Sequence, residues 1–207
     1  VSQQFFPASD RPELTVDMKL RQNASIYDTE ARAKRLETML DEDPDVDHYS
    51  TYIGRGAIRF ILTLNVQLAN PFFAQFVVVA KDLEARERLQ SKLEKILAEE
   101  FPDVVGRVSP LELGPPVGWP LQYRVLGPDK DEVRRIAQEL AQVIGADNRT
   151  LRVNFDWMEP ARQLRVVINQ DEARRLGVST ASLSATLNAA MTGSPITQVR
   201  DDIYLVN

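Results

Sequence analysis

The sequence predicts an α+β protein built from ferredoxin-like split βαβ sandwiches. These are antiparallel sheets with helices on one face, and the second is interrupted by an α+β insertion. Three observations predict this class. A unit of strand, amphipathic helix and strand runs from about Leu14 to Ile53. The same unit recurs from about Leu121 to Phe155. The first copy is followed by another strand, helix and strand that complete a sandwich, whereas the second gives way after Pro160 to a segment of different character. A half-finished sandwich cannot bury its sheet face. The second unit is therefore expected to take its missing strands from sequence beyond Asn207 or from a neighbouring copy.

The first unit opens with Leu14, Val16, Met18 and Leu20 alternating with Thr15, Asp17 and Lys19, the period of a half-buried strand. Ser25 and Asp28 have capping-box spacing, and Ala33, Leu36, Met39 and Leu40 line one helical face that stops at Pro44. Val46–Ile53 and Ile58–Leu64 read as strands on either side of Gly54-Arg55-Gly56, where two glycines mark a turn or mobile loop. Phe76–Ala80 is a short β-branched run. Asp82 can cap a helix with the stripe Leu89, Leu93, Ile96 and Leu97, stopped by Pro102, and Val104–Leu113 reads as the closing strand. Both helices are expected on one sheet face. Gly114-Pro115-Pro116-Val117-Gly118 is a stiff linker and marks a boundary.

In the second unit Leu121, Tyr123 and Val125 alternate as a strand. Gly127-Pro128-Asp129 breaks it, and Val133, Ile136, Ala137, Leu140 and Ile144 form an apolar stripe with Gly145 at the helix end. Leu151–Phe155 reads as a strand. After Pro160, Leu164, Val166 and Ile168 suggest a strand, Asp171–Leu176 a short helix ended by Gly177, and Ser179 or Thr180 caps a further helix that ends near Gly193. Val199–Val206 reads as two strands around Asp201-Asp202.

Composition removes several functions. The 25 basic and 30 acidic residues give a net charge of −5 with no basic block, which argues against nucleic acid. No run of eighteen apolar residues is present, so nothing in the sequence reads as a transmembrane span. Val1–Pro7 does not read as a signal peptide. With no cysteine, disulfides, zinc thiolates and cysteine nucleophiles are excluded. No catalytic constellation emerges: His48 is the one histidine, and the acidic clusters fall at helix ends. The methionines Met39 and Met191 fall on helix faces and read as packing. No catalytic residue, cofactor or metal ligand is therefore assigned, and the chain is not expected to be an enzyme.

Aromatic residues remain. Tyr52, Phe60, Phe72 and Phe73 flank or follow the glycine loop, and Trp119 and Tyr123 alternate on one strand. They fit core packing equally with an apolar cleft anchored by a few polar groups. Arg152 and Asn154, alternate residues of the last strand, are candidate anchors.

Several segments together resemble one family. Gln170–Ser179 with Gly193 looks like a segment of resistance-nodulation-division efflux transporters, the AcrB-like pumps. Gly54-Arg55-Gly56 is similar to the arginine-bearing end of that family's switch loop. Gly118–Tyr123 through Gly127-Pro128-Asp129 is similar to the opening of the second porter subdomain, and Arg152-Val153-Asn154 to the Arg-x-Asn of its substrate cleft. Phe5–Leu14 reads like the segment leaving a membrane helix. These motifs occur in the family's order across essentially the whole chain.

The resemblance implies the periplasmic loop of the C-terminal half of such a pump. Residues 1–13 would leave a membrane helix, and 14–113 would form the first porter subdomain. Residues 114–160 would be the first half of the second porter subdomain and 161–207 the first half of a docking subdomain inserted into it. It implies a proton-driven, homotrimeric inner-membrane pump. That pump would export amphiphilic small molecules, including drugs and toxic compounds, with a periplasmic adaptor and an outer-membrane channel. Substrate would meet Trp119, Leu121, Tyr123, Arg152, Asn154, Arg55, Tyr52 and Phe60, with Gly54 and Gly56 as loop hinges. The sequence departs from the drug pumps in having Ser50, Thr51, Tyr52 and Ile53, and no phenylalanine, before the arginine. Two alternatives stand beside this reading. One is a metal-ion exporter of the same superfamily, which would require Met18, Met158 and a further methionine to converge. The other is a cytosolic small-molecule sensor of paired sandwiches.

Overall fold

The computed structural model describes residues 9–114, 118–119, 121–150, 152–157, 159–194, 196–202 and 204–206. The chain divides into two compact units, Val1–Ala161 and Arg162–Asn207.

The first unit contains the sandwich. Its order is β1 (Glu13–Lys19), α1 (Ile26–Asp41), β2 (Val46–Ile53), β3 (Phe73–Ala80), α2 (Leu83–Glu99) and β4 (Val105–Pro110). The sheet order β2-β3-β1-β4 is fully antiparallel and places β1 and β3 in the centre. This is the split βαβ arrangement. Register explains why both helices lie on one face. Leu14, Val16 and Met18 sit opposite Val78, Phe76 and Ala74. Alternation then sends all six to one side, where they meet Ala33, Leu36 and Leu40 of α1 and Ala85, Leu89, Leu93 and Leu97 of α2. Phe101 completes this core and is fully buried.

The helix ends follow the sequence signals. Ser25 accepts from the Asp28 amide, and Asp28 returns a bond to the Ser25 amide, closing the capping box. Asp82 accepts from the Ala85 amide at 2.7 Å. Gly106 lies where β4 meets α2. A Cβ there would stand 2.9 Å from a Leu97 methyl, so glycine lets helix and strand approach.

The strand expected over Ile58–Leu64 does not form. Phe73–Ala80 takes the place next to β2, and residues 54–72 make a long connection. The apolar alternation misled because Ile58 and Leu62 are 63% and 85% exposed. A turn between Ile61 and Leu64 (N to O 3.2 Å) also ends any extension.

The rest of the first unit carries α3 (Lys130–Gly145), capped by Asp129 through the Asp131 and Glu132 amides. The helix runs through Gly145 and caps at Ala146, one residue later than expected. None of its residues is buried. The strands expected over Leu121–Val125 and Leu151–Phe155 are absent among the described residues; Leu151 lies outside them. Neither segment finds a ladder partner there, and an isolated strand has no hydrogen bonds to hold it. Arg152 also adopts φ 58°, which breaks extension.

The second unit holds α4 (Gln170–Arg175), α5 (Thr180–Thr192) and a hairpin of β5 (Val199–Asp201) and β6 (Tyr204–Val206). Asn169 caps α4, Ser179 caps α5, and Gly177 (φ 67°) and Gly193 (φ 79°) follow the helices. The strand expected around Leu164, Val166 and Ile168 is not formed, and Leu164 is 89% exposed.

Candidate binding site on the open sheet face

Helices cover one face of the sheet, so its other face presents the remaining half of each alternation. Register puts Tyr52 beside Gln75, Gln75 beside Asp17, and Asp17 beside Arg107. One polar row therefore crosses all four strands. Thr15 and Ser109 form the next rung, with hydroxyls 3.2 Å apart.

The connection 54–72 roofs this face. Gly54, at φ 73°, makes the turn off β2. Its amide donates to Phe73 O (2.8 Å) and its carbonyl accepts from the Asn70 amide (2.8 Å). The Ala57 amide donates to Gln75 Oε1 at 2.8 Å, and Thr63 Oγ1 donates to Glu112 O at 2.7 Å. The loop is thus tied at its base, at the sheet and beyond β4. Beneath it lies a small polar pocket of about 50 Å³, enough for a few waters or one ligand head group. The sheet contributes Thr15, Asp17, Gln75, Arg107 and Ser109; the loop contributes Ile61, Thr63, Leu64, Asn65 and Gln67.

Its electrostatics are uneven. Gln75, 3% exposed, donates from Nε2 to Asp17 Oδ1 at 2.7 Å. Burial pushes the Asp17 carboxyl above the usual carboxylate range, opposed by that hydrogen bond and by the field of Arg107. Arg107 itself lies 3.7 Å from Glu112 and stacks over the Trp119 ring at 5.8 Å. Among the described residues there is no set of three His, Cys, Asp or Glu placed to hold a metal.

The residues expected from sequence divide between this site and elsewhere. Tyr52 is in the polar row, and Trp119 joins it through Arg107. Phe60 lies on the roofing loop, 39% exposed, and Arg55 is exposed at its start. Leu121 and Tyr123 are exposed rather than packed, at 64% and 62%. Arg152 and Asn154 do not share a strand face. The Arg152 guanidinium donates to the Glu94 carbonyl of α2 and, at 3.3 Å, to the Gly106 carbonyl of β4. Asn154 Nδ2 donates to Arg152 O at 3.1 Å. Arg152 thus fastens its segment to the first sandwich. The two glycines also differ: Gly54 makes the left-handed turn, while Gly56 is buried, and a Cβ there would stand 2.7 Å from Gln67 Cβ.

Sequence alone does not single out Asp17, Gln75 and Arg107. Their signal was the polar half of three strand alternations. It acquires meaning only when β1, β3 and β4 are aligned.

No helix among the described residues is long and apolar enough to cross a membrane. Two crystal forms of a heavy metal efflux pump share the fold, with TM-scores of 0.65 and 0.64 and 19% identity. They match over 98% of this chain, which spans 21% and 22% of theirs. No curated protein sequence matches this chain. The model of the AcrB/AcrD/AcrF family matches residues 1–207, and the chain therefore belongs to that family of resistance-nodulation-division efflux transporters.

Proposed function

We propose that this chain is a periplasmic porter portion, with part of the docking portion, of a proton-driven efflux pump that exports amphiphilic small molecules. The pump works as a homotrimer with a periplasmic adaptor and an outer-membrane channel. The observation that carries the reading is the open sheet face. Its polar row is joined to Trp119 by the Arg107 cation–π contact and roofed by the loop that starts at Gly54. An amphiphile needs one polar contact and apolar area, and aromatic rings supply area with little loss of rotamer freedom. Trp119, Leu121, Tyr123 and Phe60 supply that surface; Tyr52, Arg55, Arg152 and Asn154 supply polar contacts. Arg152 can do so only by leaving the Glu94 and Gly106 carbonyls, so its engagement accompanies movement of its segment. Family membership favours a transporter over a cytosolic sensor.

A metal-ion exporter is the second reading, favoured by the likeness in fold to the two structures of a heavy metal efflux pump. Met18 counts against it: this residue is fully buried on the helix-facing side of β1. Met39 packs against the same core, and Met158 lies outside the described residues.

The test uses the intact pump in cells lacking other exporters. Trp119→Ala and Arg55→Ala should lower export of amphiphilic compounds at unchanged pump abundance. Parental export by both variants overturns the cleft assignment, and export confined to metal ions overturns the substrate class. Proline at Gly54 is unsuitable as a loop-freezing variant, because proline cannot adopt φ 73°.

A further inference from the structure

We propose that the pocket under the 54–72 loop is a cation-selective head-group site, in which Asp17 pairs with the protonated nitrogen of an organic amine. This rests on the transporter reading above and names the chemical class that one part of the cleft prefers.

Three observations converge. First, Asp17 is held as an acceptor. Gln75 is almost fully buried, and its Oε1 is fixed by the Ala57 amide at 2.8 Å. Its Nε2 is thereby turned toward Asp17, which it meets at 2.7 Å. A fixed amide donor on one carboxylate oxygen leaves the other to accept from a ligand.

Second, the pocket's lining carries more negative than positive charge. It contains the carboxylates of Asp17 and Glu112 and a single cation, Arg107. The Arg107 guanidinium is drawn toward Glu112 and the Trp119 ring, and it forms no ion pair with Asp17 among the described residues. It reaches Asp17 only through its field. The partly desolvated Asp17 therefore gains most from an entering cation.

Third, size and lining fit a head group rather than a whole molecule. About 50 Å³ accommodates an ammonium with its N–H groups directed at Asp17 and the Thr63 and Ser109 hydroxyls. The loop's Ile61 and Leu64 also line the pocket and offer apolar contact to the first carbons of the tail. An anionic head group would instead add a third negative charge.

The experiment compares two probes with the same tail, dodecylamine and dodecyl sulfate. Both are measured for export by the full-length pump in cells lacking other exporters. The readout is the ratio of the two rates, normalised to the abundance of assembled trimer. Asp17→Asn keeps the acceptor for Gln75 and removes the charge; Asp17→Glu keeps the charge. Asp17→Asn should lower the amine-to-sulfate ratio roughly tenfold, the effect of losing one charge-assisted contact. Asp17→Glu should restore much of it. An unchanged ratio in Asp17→Asn overturns the proposal, whether both rates fall together or neither moves. A lowered ratio that Asp17→Glu shares equally also overturns it, since charge is then not the cause. Failure of the transporter reading is distinct: neither probe is then exported by the parent, or Trp119→Ala leaves both rates intact.

Discussion

Leu93→Ala probes the assignment of the sandwich core most directly. Leu93 is 1% exposed on α2 and belongs to the cluster with Val16, Phe76 and Leu36. The substitution removes three carbon centres. At about 0.8 kcal/mol per buried methylene, the lost transfer term is about 2.4 kcal/mol. The surrounding side chains come from two helices and a four-stranded sheet, which cannot all collapse inward. A residual cavity adds a further term of about 1 kcal/mol. The expected loss is therefore about 3–4 kcal/mol, a large share of a domain's stability. Urea unfolding followed by tryptophan fluorescence is a suitable assay, because both tryptophans, Trp119 and Trp157, belong to the first unit. Trp119 also reports the sandwich through its contact with Arg107. Leu121→Ala, at a residue 64% exposed, is the matched control and should change stability by about 0.5 kcal/mol or less. A loss below about 1 kcal/mol for Leu93→Ala, or an equal loss for both variants, would refute the packing of α2 on the sheet.

Hydrogen exchange should separate the two halves of the first unit. Amides of β1, paired on both sides by β3 and β4, should exchange slowest, and those of 121–126 within seconds to minutes; comparable protection would contradict the absence of a ladder there. The Asp17 carboxyl predicts a pH signature. Its folded-state pKa lies above the ordinary range, so the folded state holds the proton more tightly and stability falls as pH rises through that window. Asp17→Asn should therefore be more stable relative to the parent at pH 7 than at pH 3; a gap that is constant or reversed across chemical unfolding curves contradicts the burial of Asp17.

Most elements of the sandwich were legible in the sequence. Its two helical stripes, the Ser25 and Asp82 caps and the alternation of β1 are local signals. The caps act within a single turn of chain, and the stripes and the alternation show which face each element buries. The family resemblance was also legible, because ordered motifs survive without coordinates. Elements that depend on a partner were not settled locally. Ile58–Leu64 has the alternation of a strand, but its place beside β2 went to Phe73–Ala80. Leu121–Val125 has the same alternation and no ladder among the described residues. A strand is defined by what it pairs with, and a single segment does not encode its neighbour. The binding face obeyed the same limit. Asp17, Gln75 and Arg107 are unremarkable polar residues in three separate strands until antiparallel register aligns them. Arg152 read as a cleft anchor, yet its positive φ and its reach to Glu94 and Gly106 exist only in the folded chain. Spacing in the sequence fixes which side of an element a residue occupies; only the tertiary structure fixes what stands opposite.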